Sequence, residues 1–95
     1  MKLPNQTNDQ TAPSTDQFIA EGLTPIFRDV FDDDELVISE VTTARDVEGW
    51  DSLAHIRIMV SIEKVFGVRF TAAEISKLKD VGTLAELVLN KRANA

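Results

Sequence analysis

The sequence predicts an all-α fold: a small four-helix bundle of three longer helices and one short one, with a long loop after the first helix. Three observations carry this. Apolar residues recur at three- and four-residue spacing through residues 16–30 and 53–66, the pattern of helices with one buried face. Two Thr-x-x-Glu pairs, Thr71 with Glu74 and Thr83 with Glu86, have the spacing of capping boxes that open helices. The short run Leu36-Val37-Ile38 is the one stretch that reads as a strand, and no second strand candidate exists to pair with it.

Residues 1–14 are rich in Asn, Gln, Thr and Pro, too polar to offset the entropy of ordering, and are expected to form a disordered tail. The folded domain is expected over 15–92, with 93–95 as a C-terminal tail. Ser14 has capping-box spacing to Gln17, and Thr15 and Asp16 are alternative caps for the first helix, expected from about Asp16 to Val30. Its stripe is Ile19, Leu23, Ile26 and Val30, flanked by Phe18, Phe27 and Phe31. Pro25 removes one hydrogen bond, so the helix either kinks there or restarts with Thr24 as cap. The stripe stays in phase across Pro25, which favours a kink. Asp32, Asp33, Asp34 and Glu35 oppose the dipole at a helix C-terminus and should end it. Leu36 to Glu48 then reads as a loop pinned by Leu36, Ile38 and Val41.

Asp51 should cap a second helix running to about Phe66 and ended by Gly67. Leu53, Ile56, Met59 or Val60, and Ile62 or Phe66 form its expected buried stripe. A short third helix should run from Ala72 to about Leu78. A last one should open on the Thr83–Glu86 box, bury Leu84, Leu87 and Val88, and reach about Lys91. Lys91 and Arg92 suit the negative end of its dipole.

The chain has 95 residues, so one domain at most. With no cysteine it offers no disulfide, thiolate metal site or thiol nucleophile, which fits a reducing compartment such as the cytoplasm. Sixteen acidic against ten basic residues give a net charge of -6. That balance disfavours nucleic acid and anionic lipid and suits partners with basic patches. Met1 to Pro13 lacks the apolar run of a signal peptide, and no segment suits membrane insertion. The length and polar tail favour a free-standing monomer. The acids at 32–35 lack the alternating oxygens, central Gly and distal Glu of a calcium loop, so no metal is expected.

The segment Gly49-Trp50-Asp51-Ser52-Leu53 is the informative one. Gly49 permits a tight turn, Asp51 can accept from free helix N–H groups, and Ser52 falls at the first helical position. A phosphate ester there would sit where free amides and the dipole favour an anion. Physics alone leaves two readings open: a phosphate site, or merely a cap.

Asp51-Ser52-Leu53, opening an amphipathic helix after a long loop, resembles the phosphopantetheine attachment motif of acyl carrier proteins. Asp51 to Val68 is similar to that family's second helix, with Ile56, Ile62, Glu63 and Phe66 at matching places. Val68-Arg69-Phe70-Thr71 resembles its link into a short third helix, and Val81 to Leu89 its fourth. The resemblance spans about residues 16–92. It implies that a phosphopantetheinyl transferase esterifies Ser52 from coenzyme A, and that the arm's thiol holds an acyl thioester. Acyl-activating, acyl-transfer or condensing enzymes would then be partners. It also implies an acyl shelter between the second and third helices, with Met59, Ile62, Phe66, Ile75 and Leu78 as candidate lining or simply core. Trp50, His55, Ile56, Arg57 and Glu63 are candidate partner contacts.

The resemblance departs from the housekeeping fatty-acid carriers in one respect. Their second helix is strongly acidic, whereas here Arg57 and Lys64 offset Asp51 and Glu63, and Arg57 stands where that group has an acid. A specialised pathway is expected: polyketide, peptide-type natural product, modified lipid or surface polysaccharide. A peptidyl or aminoacyl carrier shares the bundle but approaches the serine through a Gly-His-Ser-like stretch. An unmodified helical interaction module would keep the fold and leave Ser52 as a cap. A hydrolase is disfavoured. His55 lies one helical turn from Ser52 but no third group orients it, and Gly-x-Ser-x-Gly is absent.

Overall fold

The computed structural model describes residues 15–93, and the expected tail before them and the last two residues lie outside that range. Four helical segments follow one another, with no strand among the described residues. The first, α1, spans residues 15–31 in three contiguous stretches: α-helical Thr15–Phe18, π-helical Ile19–Leu23 and α-helical Thr24–Phe31. The others are α2, Ser52–Phe66; α3, Ala72–Lys77; and α4, Val81–Ala93. Among the described residues no helix is long and apolar enough to cross a membrane.

The π turn is how α1 accommodates Pro25. Proline has no N–H for the carbonyl one turn back, and its ring crowds that carbonyl. The chain widens by one residue instead: the Thr24 amide donates to Ile19 O, and the Thr24 hydroxyl donates to the same oxygen at 2.8 Å. The helix does not restart at Thr24, and Thr15 and Asp16 lie inside it rather than capping it. The end is abrupt. Asp32 is left-handed (φ 52, ψ 47); its amide donates to Arg28 O and Asp29 O, and the Asp33 amide donates to Arg28 O at 3.0 Å.

The N-terminal half of α1 packs on α4 and its C-terminal half on α2. Phe18, Ile19, Leu23, Ile26 and Phe27 meet Ile58, Met59, Ile62, Val81, Leu84 and Val88 in one core. Here the structure corrects the expected stripe of α2. Ala54, Ile58, Met59 and Ile62 are buried, while Leu53, Ile56 and Val60 are exposed. Both rows have helical spacing, so periodicity alone could not choose between them.

The long loop is held at several points. Ile38 is buried and Leu36 half-buried, as expected, but Val41 is exposed and Val47 takes its place in the interior. Arg28 Nε donates to Leu36 O at 2.8 Å. The loop also completes the start of α4, where a helix has amides without internal partners. Val81 N donates to Thr42 O and Gly82 N to Glu40 O, at 2.9 and 2.8 Å. The cap of α4 is therefore not Thr83. Asp80 Oδ1 accepts from both the amide and the hydroxyl of Thr83, and the helix begins two residues before the expected box. The Thr71–Glu74 box on α3 is present in both directions.

Candidate functional site

The loop delivers Ser52 to the head of α2 through one tight turn. Gly49 has φ +89, a conformation that L side chains rarely adopt, and Asp51 N donates to Gly49 O at 2.9 Å. Asp51 is extended, and its Oδ1 accepts from Ala54 N at 2.9 Å as an N-cap. The first intrahelical bond runs from His55 N to Asp51 O. The amides of Ser52 and Leu53 precede that bond, at the positive end of the helix dipole. Ser52 is exposed. An exposed hydroxyl among first-turn amides suits a phosphate ester.

Beside Ser52 lies an open groove of about 530 Å³ walled by Trp50, His55 and Ile56 on one side and by Ile75 and Leu78 on the other. Trp50 is half-buried. Its ring meets Phe27 edge-on at 5.3 Å, lies 6.2 Å from Phe31, and stacks on His55 at 6.0 Å. Its indole N–H donates to His55 Nδ1 at 3.1 Å. Because an indole only donates, Nδ1 must accept, and in the neutral ring the proton then sits on Nε2. That nitrogen faces Ile75 O at 3.3 Å.

The structure sorts the candidates. Trp50 and His55 are half-buried and bond to each other while lining the groove beside Ser52. Glu63 is also committed internally: its Oε2 accepts from Phe70 N at 2.9 Å and fixes the link into α3. Leu53, Ile56 and Arg57 remain on the exposed face. Among the acyl-pocket candidates, Ile75 and Leu78 border the groove at Ser52. Met59 and Ile62 are sealed in the core, at 2% and 0% exposure. Phe66 lies fourteen residues along α2 from Ser52, roughly 21 Å by helical rise, against Phe18 and under Arg92. It borders a different groove, of about 480 Å³, between α1 and α2. No group of His, Cys, Asp and Glu able to hold a metal occurs among the described residues.

An exposed serine at a helix head beside a groove is a place where a covalent arm can be attached and accommodated. Residues 21–88 match the family described as "Phosphopantetheine attachment site". The chain therefore belongs to that family and is an acyl carrier protein, a carrier rather than an enzyme, with phosphopantetheine as its covalent prosthetic group. Among solved structures it is similar to the holo acyl carrier protein from Geobacter metallireducens. The two share 47% identity over 81% of this chain and 88% of that one, with a TM-score of 0.76. No curated protein matches.

Proposed function

We propose that Ser52 is the residue that bears the phosphopantetheine arm, and that the chain carries acyl intermediates in a specialised biosynthetic pathway. The observation that carries the site is the exposed Ser52 hydroxyl at the head of α2, one residue after the Asp51 cap. Attachment forms the Ser52 Oγ–P bond and breaks the pyrophosphate P–O bond of coenzyme A. The nucleotide leaves as the bisphosphate, and the serine proton goes to solvent or to the transferase. The Ser52 and Leu53 amides offset the charge of the resulting phosphodiester.

The pathway reading is supported by the outer face of α2. Leu53, Ile56 and Val60 are 67%, 48% and 43% exposed, and Arg57 and Lys64 flank them without an ion pair among the described residues. The α2 residues of this face are apolar and cationic on a chain whose net charge is -6, with Asp29 of α1 at their border. It suits partner enzymes whose docking surface is apolar with an acidic rim, rather than a basic one. Such partners would be the acyl-activating, acyl-transfer or condensing enzymes of the pathway.

Incubating the full chain with coenzyme A and a broad-specificity phosphopantetheinyl transferase, followed by intact mass and peptide mapping, tests the site. One added phosphopantetheine on the Ser52 peptide is expected, and none on Ser52→Ala. Loading of the alanine variant would overturn the assignment.

A further inference from the structure

We propose that this carrier keeps its acyl group out of the helical core, because His55, braced by Trp50, latches α2 to α3 across the route inward. The inference rests on attachment at Ser52. The latch is a chain of two hydrogen bonds, Trp50 Nε1–H to His55 Nδ1 at 3.1 Å and His55 Nε2 to Ile75 O at 3.3 Å. Its outer end is anchored, since the Trp50 ring is wedged against Phe27 and Phe31. Its inner end is Ile75 O near the C-terminus of α3, which accepts only one long bond from its own helix end, from Leu78 N at 3.5 Å.

Size decides what lies behind the latch. Trp50, His55, Ala44 and Leu78 line the groove at Ser52, and the same four residues also line a small cavity that reaches Leu84 of the core. That cavity is about 50 Å³. At roughly 10–15 Å³ per water-sized site it admits about three to five heavy atoms. Two of its other walls are the charged residues Lys79 and Asp80. Ile58, Met59 and Ile62, which a longer chain would have to displace, are at 0%, 2% and 0% exposure. The cavity as it stands is therefore too small for a medium alkyl chain, and His55, which lines it and is bonded to Ile75 O, is the side chain tying α2 to α3 at its mouth. With the latch closed, the space open to the arm and its acyl group is the outer groove, bordered by Ile56, Ile75 and Leu78.

The test compares acetyl- and octanoyl-loaded full-length protein, with attachment at Ser52 first verified by peptide mass. Absence of that label overturns the site assignment and is seen before any acyl readout. In the apo protein the ¹⁵N shifts of the His55 ring should show the Nε2–H tautomer, and an Nδ1–H tautomer would overturn the latch. In wild type the methyl resonances of Ile58, Ile62 and Val88 and the Trp50 emission should coincide between the two acyl forms. Octanoyl-dependent shifts at those methyls would overturn the exclusion. In His55→Ala the octanoyl form should shift the core methyls relative to acetyl, and unmoved methyls would show that something other than the latch excludes the chain. Trp50→Phe, which keeps an aromatic ring and deletes the donor to Nδ1, repeats the comparison should the alanine variant not fold.

Discussion

Replacing Gly82 by alanine should destabilise the protein, although alanine is the better helix former. Gly82 is the second residue of α4 and is buried where the long loop crosses the helix head. A Cβ built there falls 2.8 Å from Glu40 O, 3.2 Å from Glu40 Cβ and 3.3 Å from Glu40 Cα. The first contact is with backbone, so no rotamer change relieves it. The loop must retreat by a few tenths of an ångström, stretching the 2.8 Å bond from Gly82 N to Glu40 O and the neighbouring bond from Val81 N to Thr42 O. Overpacking of this kind costs about 1–3 kcal/mol. The gain in helix propensity is at most about 1 kcal/mol, and less at a helix head. The net loss should be about 1–2 kcal/mol, or a fall in Tm of roughly 4–16 °C for a domain of this size. Urea unfolding of wild type and variant measures it, and protease nicking between residues 39 and 46 should rise in parallel. Equal or greater stability of Gly82→Ala would refute the reasoning, because it would mean the loop does not press on α4.

Other expectations are independent of that contact. Asp51→Ala should cost about 0.5–2 kcal/mol as a lost N-cap, while Asp51→Asn retains most of the stability; a denaturant midpoint unmoved by alanine would remove the capping role. Ser52→Ala should leave the unfolding curve in place, since its side chain is exposed, and abolish loading by mass. The amide and hydroxyl of Thr83 hold the Asp80 carboxyl below the ordinary aspartate value. The folded state binds fewer protons there, so its stabilisation is present above that ordinary value and is lost as pH falls through the lowered one. Asp80→Asn should flatten this acid limb in a pH series of melting curves. Glu40 behaves oppositely, raised chiefly by the facing Asp16 carboxylate. Its contribution is present at low pH and lost as pH rises through its raised value, so Glu40→Gln should raise Tm at neutral pH and have little effect in acid.

Much of this protein was legible in its sequence, and for identifiable reasons. Helix order, the ends of α1 and α2, the Thr71–Glu74 box and the placing of Ser52 behind its Asp51 cap all depend on residues within a few positions of one another. Local hydrogen-bond chemistry acts over that same range. The Asp51-Ser52-Leu53 motif at a helix start, with the four helices in order around it, pointed to the family whose model matches residues 21–88.

What tertiary structure decided were choices between locally equivalent options. Two rows of α2 have helical spacing, and only the positions of α1 and α4 select Ala54, Ile58 and Ile62 over Leu53, Ile56 and Val60 for burial. Asp80 rather than Thr83 heads α4 because Thr42 and Glu40, about forty residues upstream, supply carbonyls to amides that would otherwise lack them. From their neighbours alone Trp50 and His55 were candidate partner contacts, and the sequence could not say how far either packs inward. They are half-buried because Phe27 and Ile75, distant in sequence, offer one an aromatic face and the other a carbonyl. A buried polar group is satisfied by whatever partner the fold brings to it, and sequence spacing does not record contacts between segments tens of residues apart.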